Sequence, residues 1–136
     1  RNPWNEFECG HHYSRSLASY SVMLALSGFS YCAAEKRMGF EPKVSQRNFR
    51  CFFCVEAAWG TYRQKKGSRG WEVELAVDEG ALPLKDLRLP AGLKQAKQVR
   101  MGAKVVPFTQ CAEDGCTVLR FRRSITVRPG KALQVR

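Results

Sequence analysis

The chain begins with a dense cluster of side chains that can do chemistry. Residues 2–15, NPWNEFECGHHYSR, combine two carboxylates, two imidazoles, an arginine and aromatic rings. Carboxylate and guanidinium groups hydrogen-bond paired hydroxyls, and an aromatic ring covers the apolar face of a pyranose. The mixture is therefore typical of a sugar-binding site. Composition alone, however, favours the simpler interpretation, a helix start stabilised by its own charges together with a surface salt bridge.

A helix from about Gly10 to Ser27 is predicted to position this cluster, and Gly28 is well placed to end it in a left-handed conformation. The apolar residues that recur on one helical face are Tyr13, Leu17, Tyr20 and Leu24. Further apolar residues widen this surface beyond what one sheet would cover. We therefore expect the helix to pack against helices that lie upstream of this chain.

The rest of the chain predicts β-structure after an ordered loop over 31–48. The predicted strands are 49–55 and 59–64 as a hairpin, 71–77, 82–89, and 105–111 with 117–127 as a second hairpin. Arg123 interrupts the apolar row of the last strand and marks a bulge. The fold class is therefore α+β, with one long N-terminal helix followed by antiparallel β-strands.

Several stretches of the chain resemble glycoside hydrolase family 116, the enzymes of the non-lysosomal glucosylceramidase or bile-acid beta-glucosidase type. The matching stretches are 2–10 with His12, Tyr13 and Arg15, then 24–29, 48–53 and 59–61, with a weaker similarity at 80–84 and 87–90. The chain departs from the family pattern at Trp4, where phenylalanine is usual, and at His11, where many relatives carry an acid.

This resemblance implies a retaining beta-glucosidase whose catalytic domain is an (alpha/alpha)6 barrel, with the predicted helix as its last helix. It implies that Glu6 and Arg15 bind hydroxyls of the glucosyl unit, and Trp4, His12 and Tyr13 are further candidates for substrate binding. Residues 1–136 would then be a single segment at the C-terminal end of the catalytic domain. Within it, 1–30 form the sugar-site loop and helix, and 49–136 form a β-rich cap.

The resemblance also implies that no catalytic residue lies in this segment. Retaining hydrolysis needs a nucleophile and a general acid about 5–5.5 Å apart. Glu6 and Glu8 form one superficially eligible pair, but the family's two carboxylates lie upstream, so we expect no turnover from the segment alone. Glu72, Glu74 and Asp78 are expected on the solvent side of a strand. The expected substrate is a beta-glucoside or glucosylceramide, and no cofactor is needed.

The six cysteines invite a metal interpretation, because Cys51 with Cys54 and Cys111 with Cys116 resemble half-sites of a zinc centre. Residues three apart on a strand face opposite sides, however, so the first pair would not converge. We expect no metal site, and reduced thiols throughout, with Cys111 and Cys116 in facing strand positions.

The net charge of +11 supports a second functional hypothesis. Residues 49–136 hold 17 Lys and Arg against 8 Asp and Glu. A stripe of Arg120, Arg122 and Arg128, joined by a loop with Lys65, Lys66 and Arg69, predicts a basic β-rich module for nucleic acid or anionic surfaces. No exposed aromatic residues are interleaved with this stripe, so nucleic acid is not the expected partner.

The composition, with 44% hydrophobic and 26% charged residues, is that of a folded protein. The chain starts without a methionine or an apolar targeting stretch, as a processed or excised fragment would. Its longest apolar-rich run, 17–29, is too short to span a bilayer. We therefore expect no transmembrane segment and a cytoplasmic location.

Overall fold

The structure, a computed structural model, describes residues 13–68, 70–93 and 95–136, with side chains from residue 18 onward. These residues form a helix followed by eleven strands. In chain order the elements are α1 (Tyr13–Ser27), β1 (Ser30–Cys32), β2 (Arg37–Gly39), β3 (Asn48–Val55), β4 (Ala58–Gly67), β5 (Gly70–Gly80), β6 (Leu82–Pro90), β7 (Val99–Met101), β8 (Lys104–Val105), β9 (Phe108–Glu113), β10 (Cys116–Val127) and β11 (Leu133–Val135). The coarse prediction of a helix followed by a mainly antiparallel sheet structure is confirmed.

The helix is shorter than predicted. It has 15 residues in the described part of the chain, so the expected long helix is corrected to a short one. It ends where predicted: Gly28 has a φ of 57°, in the left-handed region that glycine tolerates. Backbone hydrogen bonds then join the helix end to the next segment, from Glu41 N to Ser27 O (3.1 Å) and from Lys43 N to Leu26 O (2.8 Å).

Gly28 is required for steric reasons as well as for its conformation. A Cβ at this position would collide with the carbonyl oxygen of Glu41, whereas a Cβ at Gly102, whose φ is 59°, would meet nothing within 4 Å. We expect Gly28→Ala to lower the free energy of unfolding by about 2–3 kcal/mol and Gly102→Ala by about 1 kcal/mol. Urea unfolding followed by circular dichroism measures both. Equal losses would show that the collision at Gly28 is relieved without cost.

The strands form two sheets that share one core. The first has the order β1-β2-β6-β10-β9 and the second β3-β4-β5-β11-β7-β8. All strand pairs are antiparallel apart from β2 with β6, which run parallel. Alternate residues of each sheet point inward, as in Leu87, Leu89 and Phe121 of the first and Tyr62 and Leu75 of the second, and all are fully buried. The described residues from 30 onward are therefore a β-sandwich.

Both predicted hairpins are confirmed. β3 pairs with β4 from Asn48 opposite Lys65 to Val55 opposite Ala58, and β9 pairs with β10. Asp114 and Gly115 have φ values of 49° and 75°, as a two-residue hairpin turn requires. The register of β10 against β6 shifts between Arg120 and Ile125, which confirms the predicted bulge.

The interpretation of 31–48 as a loop is wrong in part. This segment contains β2 and most of β1, and β2 forms the parallel pair with β6, with Arg37 opposite Asp86. Strands of three residues are too short to show periodicity, and the partner of β2 is distant in the chain. The same reason explains why β7 and β11 were not predicted, whereas the predicted strand 105–111 is divided between β8 and β9. Among the described residues, no helix is both long enough and apolar enough to cross a bilayer.

Candidate functional sites

The predicted sugar site lies at the edge of what the structure describes. Trp4, Glu6 and His12 fall outside the described residues. Tyr13 and Arg15 lie in the first turns of α1, and their side chains are also outside the described part. The placement of Glu6 relative to Arg15, on which the sugar-site hypothesis depends, therefore stays a prediction.

The helix that would carry this site exposes its apolar side chains. Between residues 18 and 26, Met23 is partly covered and every other residue is exposed. The large apolar side chains exposed there are Tyr20, Val22, Leu24 and Leu26. Apolar groups on more than one face of a helix gain stability only when another element covers them. The helix therefore presents uncovered apolar surface in the described part of the chain.

The carboxylates of β5 lie on the outer face of the second sheet, as predicted. Glu72 and Asp78 are exposed, and Glu74 is half-buried and accepts a hydrogen bond from Gln134 Nε2 (3.4 Å). Their inward-pointing neighbours Val73 and Val77 are buried in the core. This alternation is the reason that the three acids share one side of the sheet.

The cysteines of the described residues are free thiols. Cys51 points inward on β3 and Cys54 outward, which confirms that the two do not converge. Burial raises the pKa of Cys51 to about 11, so its thiol stays neutral at physiological pH. Cys111 is directly opposite Val118, and Cys116 is directly opposite Glu113. The expectation that the two cysteines occupy facing positions is therefore wrong, since they are diagonal neighbours on the strand pair. In residues 13–68, 70–93 and 95–136, no three His, Cys, Asp or Glu side chains are grouped as metal ligands.

The predicted basic stripe on β10 is not formed as expected. Arg120 donates hydrogen bonds to Asp86 Oδ2 and Glu113 Oε1, at 3.1 and 3.0 Å, so acids hold its guanidinium. Hydrogen bonding to Asp86 and the charge of that carboxylate raise the pKa of Arg120 above its ordinary value. Lys65 and Lys66 lie in β4 of the other sheet and not in a joining loop, and Arg69 is outside the described residues. The alternation of basic and apolar residues along β10 does not show that neighbouring strands supply acids to Arg120. It also does not show that β4 belongs to the other sheet.

An ion network on the outer face of the first sheet was missed from the sequence. Asp86 is 5% exposed and lies between two arginines. Arg120 Nε donates to Asp86 Oδ1 (3.1 Å), and Arg37 Nη2 lies 3.4 Å from Asp86 Oδ2. The register explains the cluster, because Asp86 is directly opposite Arg37 on one neighbouring strand and Arg120 on the other. Each charge is matched by its neighbour, which is the arrangement of a structural network.

The outer face of the second sheet carries a different combination, two exposed aromatic rings next to charged and amide side chains. Phe52 is 51% exposed and Trp59 is 47% exposed. Beside them, Arg63, Glu74 and Gln134 are among the residues that line an open depression of about 530 Å³. This face could have been predicted from the sequence, because Trp59, Thr61 and Arg63 stand at every second position of β4 and so share one side of the strand.

Comparisons with known proteins add no relative. No protein-family model matches the chain, and neither the curated proteins nor the solved structures contain a significant match.

Proposed function

We propose that the chain is the C-terminal part of a retaining beta-glucosidase of the glycoside hydrolase family 116 type. The observation that carries the proposal is the run of residues from Asn2 to Arg15, which resembles the family motif in order and spacing and continues into the 24–29 stretch at the end of α1. The apolar residues that α1 exposes support it, because upstream barrel helices would cover them.

In this proposal the segment binds sugar and does not cut it. The Glu6 carboxylate and the Arg15 guanidinium hydrogen-bond adjacent hydroxyls of the glucosyl unit, and Trp4, His12 and Tyr13 help to shape the pocket. The nucleophile and the general acid belong to upstream segments, where they flank the scissile bond about 5–5.5 Å apart. The sandwich that follows α1 is the terminal cap of the barrel. The substrate is a beta-glucoside or glucosylceramide, and the enzyme acts in the cytoplasm.

The test restores the upstream coding sequence and measures hydrolysis. We expect the longer protein to hydrolyse an aryl beta-glucoside with retained configuration and the 136-residue chain to have no activity. Arg15→Ala in the longer protein should lower kcat/KM by about tenfold or more, because a charged hydrogen bond to the substrate is lost. Assaying glucosylceramide beside the aryl glucoside identifies the aglycone that is preferred.

The matched control is Arg47→Ala, because Arg47 is exposed and its backbone, not its guanidinium, makes the described hydrogen bond to Lys66. We expect its activity to equal that of the unaltered protein. If Arg15→Ala retained full activity, the assignment of the sugar site would be wrong. If the longer protein hydrolysed no beta-glucoside, the proposed function would be wrong.

A further inference from the structure

The outer face of β3, β4 and β5 presents an aromatic pair to solvent. Phe52 lies opposite Thr61, and Trp59 lies opposite Cys54, so the two rings are diagonal neighbours on one face of the sheet. Thr61 in turn lies opposite Ala76 of β5. Because Thr61 and Ala76 are small, neither side chain covers the ring of Phe52 from the side of β4 and β5. Two large aromatic rings that are exposed side by side are a frequent mark of a binding surface.

The next row of side chains along the strands is polar and crosses four strands. Arg50 lies opposite Arg63, Arg63 opposite Glu74, and Glu74 opposite Gln134. All four line the depression of about 530 Å³. Within the described residues, neither Arg50 nor Arg63 makes an ion pair, while Glu74 accepts from the Gln134 amide (3.4 Å). The row therefore offers hydrogen-bond donors and acceptors side by side.

We propose that this face binds an uncharged hexose chain, with Phe52 and Trp59 under one pyranose ring and Arg63, Glu74 and Gln134 on hydroxyls of the next. Sugar rings have an apolar C–H face that packs on aromatic rings, and each hydroxyl both donates and accepts. Successive side chains on one face of a strand are about 7 Å apart. A chain of two or three sugar units thus reaches from the aromatic pair into the depression.

The charges on this face decide against a polyanion. Glu72, Glu74 and Asp78 all lie on β5, where Glu72 is directly opposite Lys65 and Glu74 is directly opposite Arg63 of β4. A phosphate backbone that crossed from β4 to β5 would approach these carboxylates and be repelled. An uncharged sugar uses the same carboxylates as hydrogen-bond acceptors. The proposal rests on side chains of the sandwich and does not depend on the glycosidase function.

Isothermal titration of the full chain with cellohexaose, laminarihexaose and maltohexaose tests the proposal. We expect at least one of the three to bind, and Trp59→Ala to weaken that binding by about tenfold or more, as the loss of one stacked ring implies. Phe52→Ala should weaken it less. The control is Tyr20→Ala, which removes an aromatic ring that is 61% exposed on α1 and should leave the affinity unchanged. Circular dichroism verifies that each variant is folded.

Arg15→Ala separates this surface from the proposed glucose site: sugar binding that persists in Arg15→Ala and is lost in Trp59→Ala belongs to the sheet. The proposal is overturned if none of the three sugars binds, or if Trp59→Ala binds as well as the unaltered chain. It is also overturned if only an oligothymidine binds, with affinity that falls steeply with salt and depends on Trp59. A dimer that Trp59→Ala dissociates, without any sugar binding, would assign the face to contact between copies of this chain.

Discussion

Replacing Tyr62 with alanine is expected to lower the free energy of unfolding by about 3–5 kcal/mol. Tyr62 is fully buried in the core between the two sheets. Its ring stacks on Phe40, with centroids 4.0 Å apart and planes inclined by 6°. Alanine would leave a cavity beside Phe40 that the neighbouring core side chains cannot fill without moving. Urea unfolding, followed by circular dichroism in the far ultraviolet, measures the loss.

The hydroxyl of Tyr62 makes a separate contribution. It donates a hydrogen bond to Gln64 Oε1 (2.6 Å), and Gln64 Nε2 donates to the carbonyl oxygen of Gln46 (2.6 Å). Tyr62→Phe keeps the ring and leaves the buried amide oxygen without its donor, so we expect a loss of about 1–2 kcal/mol. If Tyr62→Ala and Tyr62→Phe were equally destabilising, the stacked ring would contribute little and the cavity argument would fail.

Replacing Asp86 with asparagine is expected to destabilise the chain by about 2–4 kcal/mol. The substitution preserves the shape of the side chain and removes the charge that lies between Arg37 and Arg120. The two guanidiniums would then face each other across β6 with no carboxylate between them. We place the expected loss at the low end for a broken buried ion pair because the two arginine side chains are 30% and 41% exposed. Water therefore screens part of the repulsion between them.

Glu113→Gln is the matched control for Asp86. Glu113 is the other acid that contacts Arg120, but its side chain is 34% exposed against 7% for that of Asp86. We expect a loss of about 0–1 kcal/mol, the usual range for an exposed ion pair. The free energy of unfolding of both variants, measured in parallel by urea titration, tests the comparison. A loss at Glu113 as large as that at Asp86 would show that burial is not what makes the network strong.

The features predicted correctly have local physical causes. The helix ends at Gly28 because glycine adopts the left-handed conformation that the turn requires, and this needs no knowledge of the rest of the chain. The hairpin between β9 and β10 follows from Asp114 and Gly115, which suit a tight turn. The inward side of β5 follows from alternation of apolar and charged residues.

The features that were missed depend on neighbours that are distant in the chain. β2 is stabilised as a strand by β6, and β11 lies between β5 and β7, so neither three-residue segment has a pattern of its own. The prediction of a basic stripe failed for the same reason, because Asp86 neutralises Arg120 across a strand pair. A charge pattern along one strand does not show which acids the next strand supplies.

For this protein, the sequence by itself determined the helix end, the two hairpins and the side of β5 that faces the core, because each depends on residues close together in the chain. It also contains the whole basis of the proposed glucosidase motif. Only the tertiary structure decided the strand order, the Asp86 network and the surface that joins Trp59 to Glu74. Those features depend on which strands become neighbours, and the burial of the shared core decides this by packing together segments that are distant in the chain.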